Sequence, residues 1–388
     1  MFVNGHLNIG GVERSLIDLL KVIDYEKYEV DLILFEGLGD YIDEIPKAVN
    51  IKFYDLTNTY GAFLKCIFNN LKNKKFKYAL MRIIFNLQRV FNDNMLSLAK
   101  IFFYDLGRYD CAIAYREGFC AEFVAYVINS SKKILWWHNG VYEHKEYKAN
   151  KKFERYCSKF NYIVAVSNGC KDMILQYSNI NSKKIIVIPN IINHDSIHKK
   201  ALKKIEGNLF NNDFINIVSI GRLSFEKSMI NCVYTCKKLV DEGHKIKWYI
   251  IGDGPEYSNI YNEIEKNKLE ESIILLGNKL NPYPYLNQCD IYVHPSTRES
   301  MSITIIEALS LHKPVVAAKS MGPSEFIINK KNGLMVEPSV EGLYEGILLL
   351  LNNPSLAKEI CINNEELLLK YAPQTVIKQI EKLIINVN

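Results

Sequence analysis

Two glutamates eight residues apart, Glu299 and Glu307, are the strongest candidates for chemistry in this sequence. Glu299 follows an apolar strand that ends at Pro295. Glu307 lies within an apolar helix, where an unpaired charge would cost on the order of several kcal/mol. A carboxylate in that setting needs polar partners such as the vicinal hydroxyls of a sugar. Ser302 is a predicted N-cap, and the free amides at the start of this helix would suit a phosphate. A surface glutamate followed by a helix salt bridge is the alternative.

Cations and glycines that follow other predicted strands could hold an anion or admit a ligand. Arg222 and Lys227 come just past a strand end, where a guanidinium fork and an ammonium point charge could clamp a diphosphate. An exposed surface pair is the alternative. Gly10 and Gly11 precede an amphipathic helix and let backbone approach a ligand closely. The segment 252–255 lacks the third glycine of a dinucleotide-binding motif and is predicted to be a turn that leaves a buried strand.

The elements that must position these residues form an α/β pattern that occurs twice. Short apolar, β-branched runs alternate with helix-length amphipathic segments, which is typical of parallel sheets. The predicted strands are residues 30–35, 51–54, 111–115, 134–137, 163–166 and 185–188 in the first half, and 215–220, 246–251, 273–276, 291–294, 315–318 and 334–336 in the second. The polar, Lys-rich segment 190–212 is predicted to be a linker. Two doubly wound domains would bring both sheet ends to a shared cleft, the usual ligand site.

Composition excludes several classes of protein. The chain has 388 residues, of which 48% are hydrophobic and 23% charged, so it is globular and long enough for two domains. No apolar run approaches the roughly 20 residues of a membrane-spanning helix, and the N-terminus does not resemble a secretory signal, so we expect a cytoplasmic protein. Nine scattered cysteines without a CxxC pair predict neither disulfides nor a zinc site. A net charge of +5 is too mild to indicate nucleic-acid binding.

One basic segment, residues 64–104, departs from the alternation. It contains eight cations and a single acid, Asp93. Apolar residues recur in it at helical spacing: Leu80, Ile84, Leu87, Phe91, Met95, Leu98 and Phe102. A membrane-surface element that brings the protein to a lipid-borne substrate is one interpretation. A core-packed helix with a solvated basic back is the other, because Arg82, Arg89 and Lys100 lie roughly opposite the apolar stripe.

With these motifs the chain resembles the family 4 glycosyltransferases, which have the GT-B fold and a motif of Glu, seven residues and Glu. The resemblance covers nearly the whole chain. Besides Glu299 and Glu307, it rests on residues 8–13, 165–168, 188–190, 221–223, Lys227, 252–255, Gly277, Glu325 and 332–333. Members often have glycine and an aromatic residue after the first glutamate. Ser300, Met301 and Ser302 stand there in this chain, which bears on the identity of the sugar and not on the fold.

The resemblance assigns roles to individual residues. It implies that Arg222 and Lys227 hold the donor's phosphates, Glu299 the hydroxyls of the donor sugar and Glu307 the ribose. His138, which follows the predicted strand 134–137, matches a histidine near the sugar. The catalytic group is therefore expected to be Glu299, Arg222, Lys227 and His138. The remaining donor-binding positions are expected to be Gly10, Gly11, Leu280, Met301, Ser302 and Ile303.

The resemblance also implies a retaining, metal-independent hexosyltransferase that uses a nucleoside diphosphate sugar, of the UDP or GDP type, and needs no cofactor. Residues 1–195 would form a Rossmann-like acceptor-side domain, 196–372 a Rossmann-like donor domain and 373–388 a terminal helix. The acceptor would be a saccharide or lipid-linked saccharide of capsule, lipopolysaccharide or glycolipid biosynthesis. The expected location is cytoplasmic, with peripheral membrane contact through 64–104. An epimerase or hydrolase of the same fold and a catalytically silent binding subunit remain alternatives.

The first strand is short, because only Phe2 and Val3 precede the polar residue Asn4. The resembling proteins have a longer buried strand at this point. We therefore expect translation to begin a few residues upstream of Met1, which an intact-mass measurement on native protein can test.

Overall fold

A computed structural model describes the chain at residues 1–37, 39–91, 94–139, 151–205, 207, 209–362 and 364–385. Within these ranges the side chains of residues 89–91, 94, 151 and 152 are not described, so the predicted positions of Arg89 and Phe91 lie outside the described side chains. The chain divides into two compact units. Unit 1 comprises Met1–Pro189 and Ile377–Asn388, and unit 2 comprises Asn190–Val376.

Unit 1 is built on a seven-stranded parallel sheet. Its strands are β1 (Phe2–Val3), β2 (Val30–Leu34), β3 (Val49–Phe53), β4 (Arg108–Ala114), β5 (Asn129–Trp137), β6 (Tyr162–Ala165) and β7 (Ile185–Val187). Their order across the sheet is β3-β2-β1-β4-β5-β6-β7. The chain therefore winds outward from β1 in one direction and then from β4 in the other. This reversal creates a topological switch point between β1 and β4, beside which such sheets bind ligands.

The helices of unit 1 alternate with these strands. They are α1 (Gly11–Leu20), α2 (Phe63–Lys72), α3 (Phe76–Phe91), α4 (Phe119–Tyr126), α5 (Lys151–Ser158) and α6 (Asn168–Tyr177). Short 3₁₀ segments are Ile42–Glu44, Thr57–Thr59, Asn94–Phe102 and Ser182–Lys184. The single stripe predicted between Leu80 and Phe102 was wrong in one respect, because the α-helix ends at Phe91 and a 3₁₀ segment begins at Asn94. Leu80 and Leu98 are also half exposed, so that stripe is not uniformly buried.

Unit 2 repeats the plan with six parallel strands. They are β8 (Ile215–Ile220), β9 (Ile246–Ile251), β10 (Ile273–Gly277), β11 (Ile291–His294), β12 (Val315–Ala318) and β13 (Leu334–Val336), in the order β10-β9-β8-β11-β12-β13. Its helices are α7 (His194–Ala201), α8 (Ile230–Asp241), α9 (Tyr257–Lys266), α10 (Tyr283–Gln288), α11 (Ile303–Ser310), α12 (Val340–Asn352), α13 (Pro354–Ile362) and α14 (Glu365–Tyr371), with 3₁₀ segments at Phe225–Lys227 and Pro323–Glu325. The last helix, α15 (Pro373–Ile385), begins in unit 2 and continues into unit 1.

Alternate residues of the unit 2 strands pack into two separate cores, one on each face of the sheet. Ile217 and Trp248 belong to one core, and their neighbours Val218 and Tyr249 belong to the other. Because successive strand side chains point to opposite faces, helices must cover both faces, which is the doubly wound arrangement. The predicted fold class of two parallel, Rossmann-like domains is confirmed.

Two connecting segments differ from simple expectations. The predicted linker 190–212 is not only a linker, because Ile192, Ile197 and Ala201 pack into a core of unit 2. The terminal helix α15 belongs to unit 1 from Ile377 onward, and there Lys132 Nζ donates to the carbonyl of Ile384 at 2.7 Å. Among the described residues, no helix is both long and apolar enough to cross a membrane.

Candidate functional site

The switch point of unit 2 lies between β8 and β11, and the loops after these two strands are joined by hydrogen bonds. The carbonyl of Glu226, in the loop after β8, accepts from the backbone N–H of Thr297 at 3.0 Å and from its hydroxyl at 3.1 Å. The hydroxyl of Ser296 donates to the same carbonyl at 3.2 Å. These bonds fix the loop that bears Lys227 against the loop that bears Glu299.

Lys227 and Glu299 form a direct ion pair between the two loops. His294, the last residue of β11, approaches the same carboxylate with Nε2 at 3.1 Å from Oε1. An ionised carboxylate only accepts hydrogen bonds, so His294 donates from Nε2. Glu299 is buried, which alone would raise its pKa, but the Lys227 ammonium and the His294 ring outweigh burial and lower that pKa to about 2. Glu299 is therefore a buried acceptor that is ionised at neutral pH.

The second glutamate, Glu307, lies in α11 and is also buried. The hydroxyl of Tyr283, at the start of α10, donates to its Oε1 at 2.8 Å. Ser302 occupies the predicted N-cap position of α11, but its side chain makes no capping hydrogen bond. Its buried hydroxyl has no hydrogen-bond partner among the described residues. Met301 and Ile303 flank Ser302 in the short segment that connects Glu299 to α11.

The other predicted residues of unit 2 follow strands at the same edge of the sheet. Arg222 follows β8 and is exposed, while Leu280 follows β10 and is 46% exposed. The backbone N–H of Gly322, after β12, donates to the Glu299 carbonyl at 2.9 Å. A Cβ at Gly322 would lie 3.2 Å from the Cβ of Glu299. Gly322 thus allows the loop after β12 to pack directly against the acidic loop.

The turn at 252–255 leaves β9 as predicted, and glycine is required there. Gly252 has a φ of +145°, and a Cβ on it would lie 1.9 Å from the carbonyl oxygen of Gly221. A Cβ on Gly254 would lie 2.3 Å from the carbonyl oxygen of Leu223. The turn therefore packs backbone to backbone against the loop that bears Arg222.

Unit 1 has a comparable polar cluster at its own switch point. Arg116, after β4, places Nη1 2.9 Å from Nε2 of His6 and 3.2 Å from Oε1 of Glu13. Glu13 is buried in the first turn of α1. Gly10 is the N-cap residue of that helix and Gly11 its first residue. A Cβ on Gly10 would lie 2.4 Å from Glu13 Oε2, so glycine leaves room for the buried carboxylate.

His138, predicted from its place after β5, is buried and neutral. Burial, with the nearby Arg116 charge, lowers its pKa to about 3, although a hydrogen bond to the Tyr115 backbone opposes the shift. Its Nε2 is buried and has no hydrogen-bond partner among the described residues. Glu117 accepts from the backbone N–H of His138 at 2.7 Å and of Asn139 at 2.9 Å. A neutral ring with an unpartnered nitrogen can bind a ligand hydroxyl.

A cavity of about 410 Å³ opens beside this cluster, wholly within unit 1. Charged and aromatic side chains line it, including His6, Tyr60, Arg82, Phe85, Arg116 and Glu117. Aromatic faces with a few polar groups are typical of ligand sites and provide both contact area and hydrogen bonds. Buried Nε of Arg82 has no hydrogen-bond partner among the described residues, so this guanidinium can still donate.

Sequence reasoning missed several of these residues. It identified Lys227, Glu299 and Glu307 but not His294 or Tyr283, which contact the two glutamates. His294 could have been recognised from the sequence, because it is a polar residue at the very end of a buried strand. In unit 1 it missed Arg116, which directly follows β4. Within the described residues, no group of three or more His, Cys, Asp or Glu side chains could hold a metal ion.

Comparisons with known proteins identify the family. A model described as Glycosyltransferase Family 4 matches residues 9–196, and one described as Glycosyl transferases group 1 matches residues 200–367. The chain is 27% identical to N-acetylgalactosamine-N,N'-diacetylbacillosaminyl-diphospho-undecaprenol 4-alpha-N-acetylgalactosaminyltransferase of Campylobacter jejuni, over 91% of this chain and 90% of that protein. It is 25% identical to the capsular polysaccharide biosynthesis glycosyltransferase CapM of Staphylococcus aureus, over 57% of this chain and 60% of that protein.

Solved structures agree on the fold. The Anabaena protein HepE in complex with UDP and glucose superposes with a TM-score of 0.75, at 16% identity, over 100% of this chain and 99% of that chain. Together, the two family models cover most of both units. The chain therefore belongs to the family 4 glycosyltransferases, has the GT-B fold and is a glycosyltransferase.

Proposed function

We propose that this glycosyltransferase moves a sugar from a nucleoside diphosphate donor to an acceptor hydroxyl with retention of anomeric configuration. The ion pair between Lys227 and Glu299 carries the proposal. This pair joins a cation and a carboxylate that is ionised at neutral pH at the switch point of unit 2, where parallel sheets bind nucleotides. The UDP and glucose in the HepE structure favour a UDP sugar as donor.

Each polar group of unit 2 has a role in this proposal. Lys227 and the exposed Arg222 bind the diphosphate, and the amides around Met301, Ser302 and Ile303 add N–H donors at the start of α11. Ionised Glu299 accepts from the sugar hydroxyls, and Glu307 accepts from the ribose hydroxyls. Leu280, exposed after β10, provides an apolar contact to the donor.

The reaction breaks the bond between the anomeric carbon and the diphosphate oxygen, and forms one between that carbon and the acceptor oxygen. Negative charge grows on the leaving diphosphate, so fixed cations and amides stabilise the transition state more than the ground state. The acceptor's proton passes to the departing diphosphate oxygen on the same face of the sugar. Arg222 and Lys227 take the part that a metal ion plays in other transferases, so we propose a metal-independent reaction.

We propose that unit 1 binds the acceptor. Its cavity combines aromatic surfaces with Arg82, Arg116 and Glu117, groups that pair with saccharide hydroxyls or an attached anionic group. Neutral His138 accepts a hydrogen bond from an acceptor hydroxyl at Nε2, and the glycines Gly10 and Gly11 admit ligand close to the start of α1. In this proposal the acceptor domain corresponds to unit 1 and the donor domain to unit 2.

The cellular role we propose is cytoplasmic synthesis of a cell-surface polysaccharide or glycolipid. The Campylobacter jejuni relative is named for a diphospho-undecaprenol acceptor, and CapM for capsular polysaccharide. A lipid-linked saccharide is therefore the acceptor class that we favour, and it would require the enzyme to work at a membrane surface.

Two substitutions test the site. Lys227→Ala and Glu307→Ala should each lower transfer more than tenfold, because each removes a group that contacts the donor, while the protein still folds. Transfer is measured as nucleoside diphosphate release from UDP and GDP sugars with a panel of saccharide acceptors. The single variants Lys245→Ala and Glu270→Ala, at exposed positions of unit 2, are the matched controls.

Four outcomes would contradict the proposal. Near-wild-type transfer in both site variants would refute the site. A new sugar nucleotide formed from donor alone would indicate an epimerase. Release of free sugar without an acceptor would indicate a hydrolase. Nucleotide binding without turnover against any acceptor would indicate a silent binding subunit.

A further inference from the structure

The α2–α3 hairpin of unit 1 presents large apolar side chains to solvent. On α2, Leu64 is 76% exposed, Phe68 68% and Leu71 47%. Their spacing of four and three residues places them on one face of the helix. A single exposed leucine needs no explanation, but a complete apolar stripe does.

The first turns of α3 repeat this arrangement. Phe76 is 63% exposed, Leu80 45% and Ile83 37%, again at a spacing of four and three residues. Both helices of the hairpin therefore have an apolar stripe that the rest of unit 1 leaves largely uncovered.

The buried side of α2 is its less apolar side. Cys66 and Asn70 are buried, and the Asn70 amide donates to the Asn58 carbonyl at 2.7 Å and to the Cys66 carbonyl at 2.9 Å. A surface helix of a globular protein normally does the reverse and buries its large apolar residues. The inverted orientation indicates that the outward stripe meets an apolar phase or partner.

The charge of the hairpin identifies that partner. Its exposed cations are Lys65, Lys72, Lys74, Lys75 and Lys77. No Asp or Glu occurs between Asp55 and Asp93 in the sequence. A second copy of this surface would bring like charges together, which disfavours a self-association face. An anionic lipid surface attracts each lysine and accepts the apolar side chains between them.

The same hairpin reaches the cavity of unit 1. Arg82 and Phe85 of α3 line that cavity, and Arg82 is adjacent in sequence to exposed Ile83. The Arg82 guanidinium donates a hydrogen bond from Nη2 to the Gly61 carbonyl at 2.7 Å. The cavity therefore lies next to the hairpin surface, where it would be accessible to an acceptor anchored in the bilayer that the hairpin contacts.

We propose that the α2–α3 hairpin docks on an anionic bilayer, with the stripes Leu64/Phe68/Leu71 and Phe76/Leu80/Ile83 in the boundary between headgroups and acyl chains. The flanking lysines lie at the level of the lipid phosphates. The purpose of this docking, access to a lipid-linked acceptor, rests on the proposed function, but the docking itself does not depend on sugar transfer.

Vesicle co-sedimentation tests the proposal. Wild-type protein should bind vesicles of phosphatidylcholine with phosphatidylglycerol, and bind poorly to phosphatidylcholine alone. The double variant Leu64→Asp/Phe68→Asp should lose at least about tenfold in affinity because two charges enter the apolar stripe. Lys65→Gln/Lys72→Gln/Lys74→Gln should lose about as much on the anionic vesicles. Ile362→Asp, a 70% exposed position of unit 2, is the matched control and should bind like wild type.

A second readout does not depend on the charged variants being folded. Phe68→Trp should shift its fluorescence to shorter wavelength when anionic vesicles are added, while Ile362→Trp should not. Equal binding of wild type and Leu64→Asp/Phe68→Asp would overturn the proposal. A dimer in sedimentation velocity that this double variant dissociates would also overturn it, because a second copy would then cover the face. Binding of nucleotide sugars is measured separately, as thermal shifts without vesicles. Failure of the membrane proposal can therefore be distinguished from failure of the proposed donor site.

Discussion

Electrostatics at the residue scale explains why Glu299 is ionised although it is buried. An isolated buried carboxylate would take up a proton instead of paying its desolvation cost. Lys227 and His294 both contact the same carboxyl group, so the ionised form is favoured. Lys227 is itself 24% exposed, which leaves part of its ammonium accessible to a second anion such as a diphosphate.

This ion pair predicts a pH dependence of stability. The pKa of Glu299 falls from its ordinary value of 4.5 to about 2 in the folded protein. A lowered folded pKa stabilises the protein above the unfolded pKa, and the stabilisation disappears as pH falls from about 5 to about 2. Glu299→Gln should therefore cost on the order of 2–3 kcal/mol at pH 7 and much less near pH 2.

Urea denaturation at several pH values measures this difference. Glu270→Gln, an exposed carboxyl in the same unit, should show no comparable trend. A wild-type advantage over Glu299→Gln that stays constant from pH 7 to pH 2 would contradict the assigned pair.

Part of the residue-level site was predictable from sequence. Lys227, Glu299 and Glu307 follow strand ends in a recognisable order, which local reasoning detects. The contacts of Glu299 with His294 and of Glu307 with Tyr283 were not predicted, because no periodicity along the chain marks a hydrogen bond between different elements. The pairing of Arg116 with Glu13, over a hundred residues apart, was missed for the same reason.

At the scale of elements, the strands were the most predictable feature. Parallel strands are buried on both faces and therefore appear as nearly continuous apolar runs, as in 215–220 and 246–251. Helix orientation was less predictable. Periodicity shows that α2 and α3 have an apolar stripe but not whether that stripe faces a core or solvent. The helix α7 was not predicted, because it lies in a polar segment and only its residues Ile197 and Ala201 are buried.

The contact between the turn after β9 and the loop after β8 gives a prediction for Gly252→Ala. A Cβ at this position would overlap the Gly221 carbonyl, and neither backbone can move without displacing a strand end. We expect a loss of about 2–4 kcal/mol in the free energy of unfolding, together with weaker nucleotide binding, because the adjacent Arg222 loop must shift.

Thermal denaturation and nucleotide titration of Gly252→Ala measure the two effects. Gly107→Ala is the control, because a Cβ there meets nothing within 4 Å and its φ is not positive. If Gly252→Ala were as stable as Gly107→Ala, the close backbone contact at the end of β9 would be wrong.

At the scale of the whole molecule, the two units follow one plan. Each has a parallel sheet whose strand order reverses beside its first strand, and each has an ion pair near that reversal: Arg116 with Glu13 in unit 1 and Lys227 with Glu299 in unit 2. The repetition of the α/β pattern in the sequence was sufficient to predict both sheets. It could not predict the cavity or the exposed apolar hairpin of unit 1, because both depend on side-chain packing.

We propose that a nucleoside diphosphate sugar binds unit 2 at Lys227 and Glu299. A thermal-shift titration with UDP, GDP, ADP and CMP sugars tests it most directly, because a ligand at about 100 times its dissociation constant stabilises the folded state by about 2.7 kcal/mol. For a domain of this size that corresponds to a rise of about 5 °C or more. We predict that rise with one class of nucleotide sugar in wild type and in Lys245→Ala, and less than half of it in Lys227→Ala. No rise with any nucleotide sugar, or an equal rise in Lys227→Ala, would contradict the account.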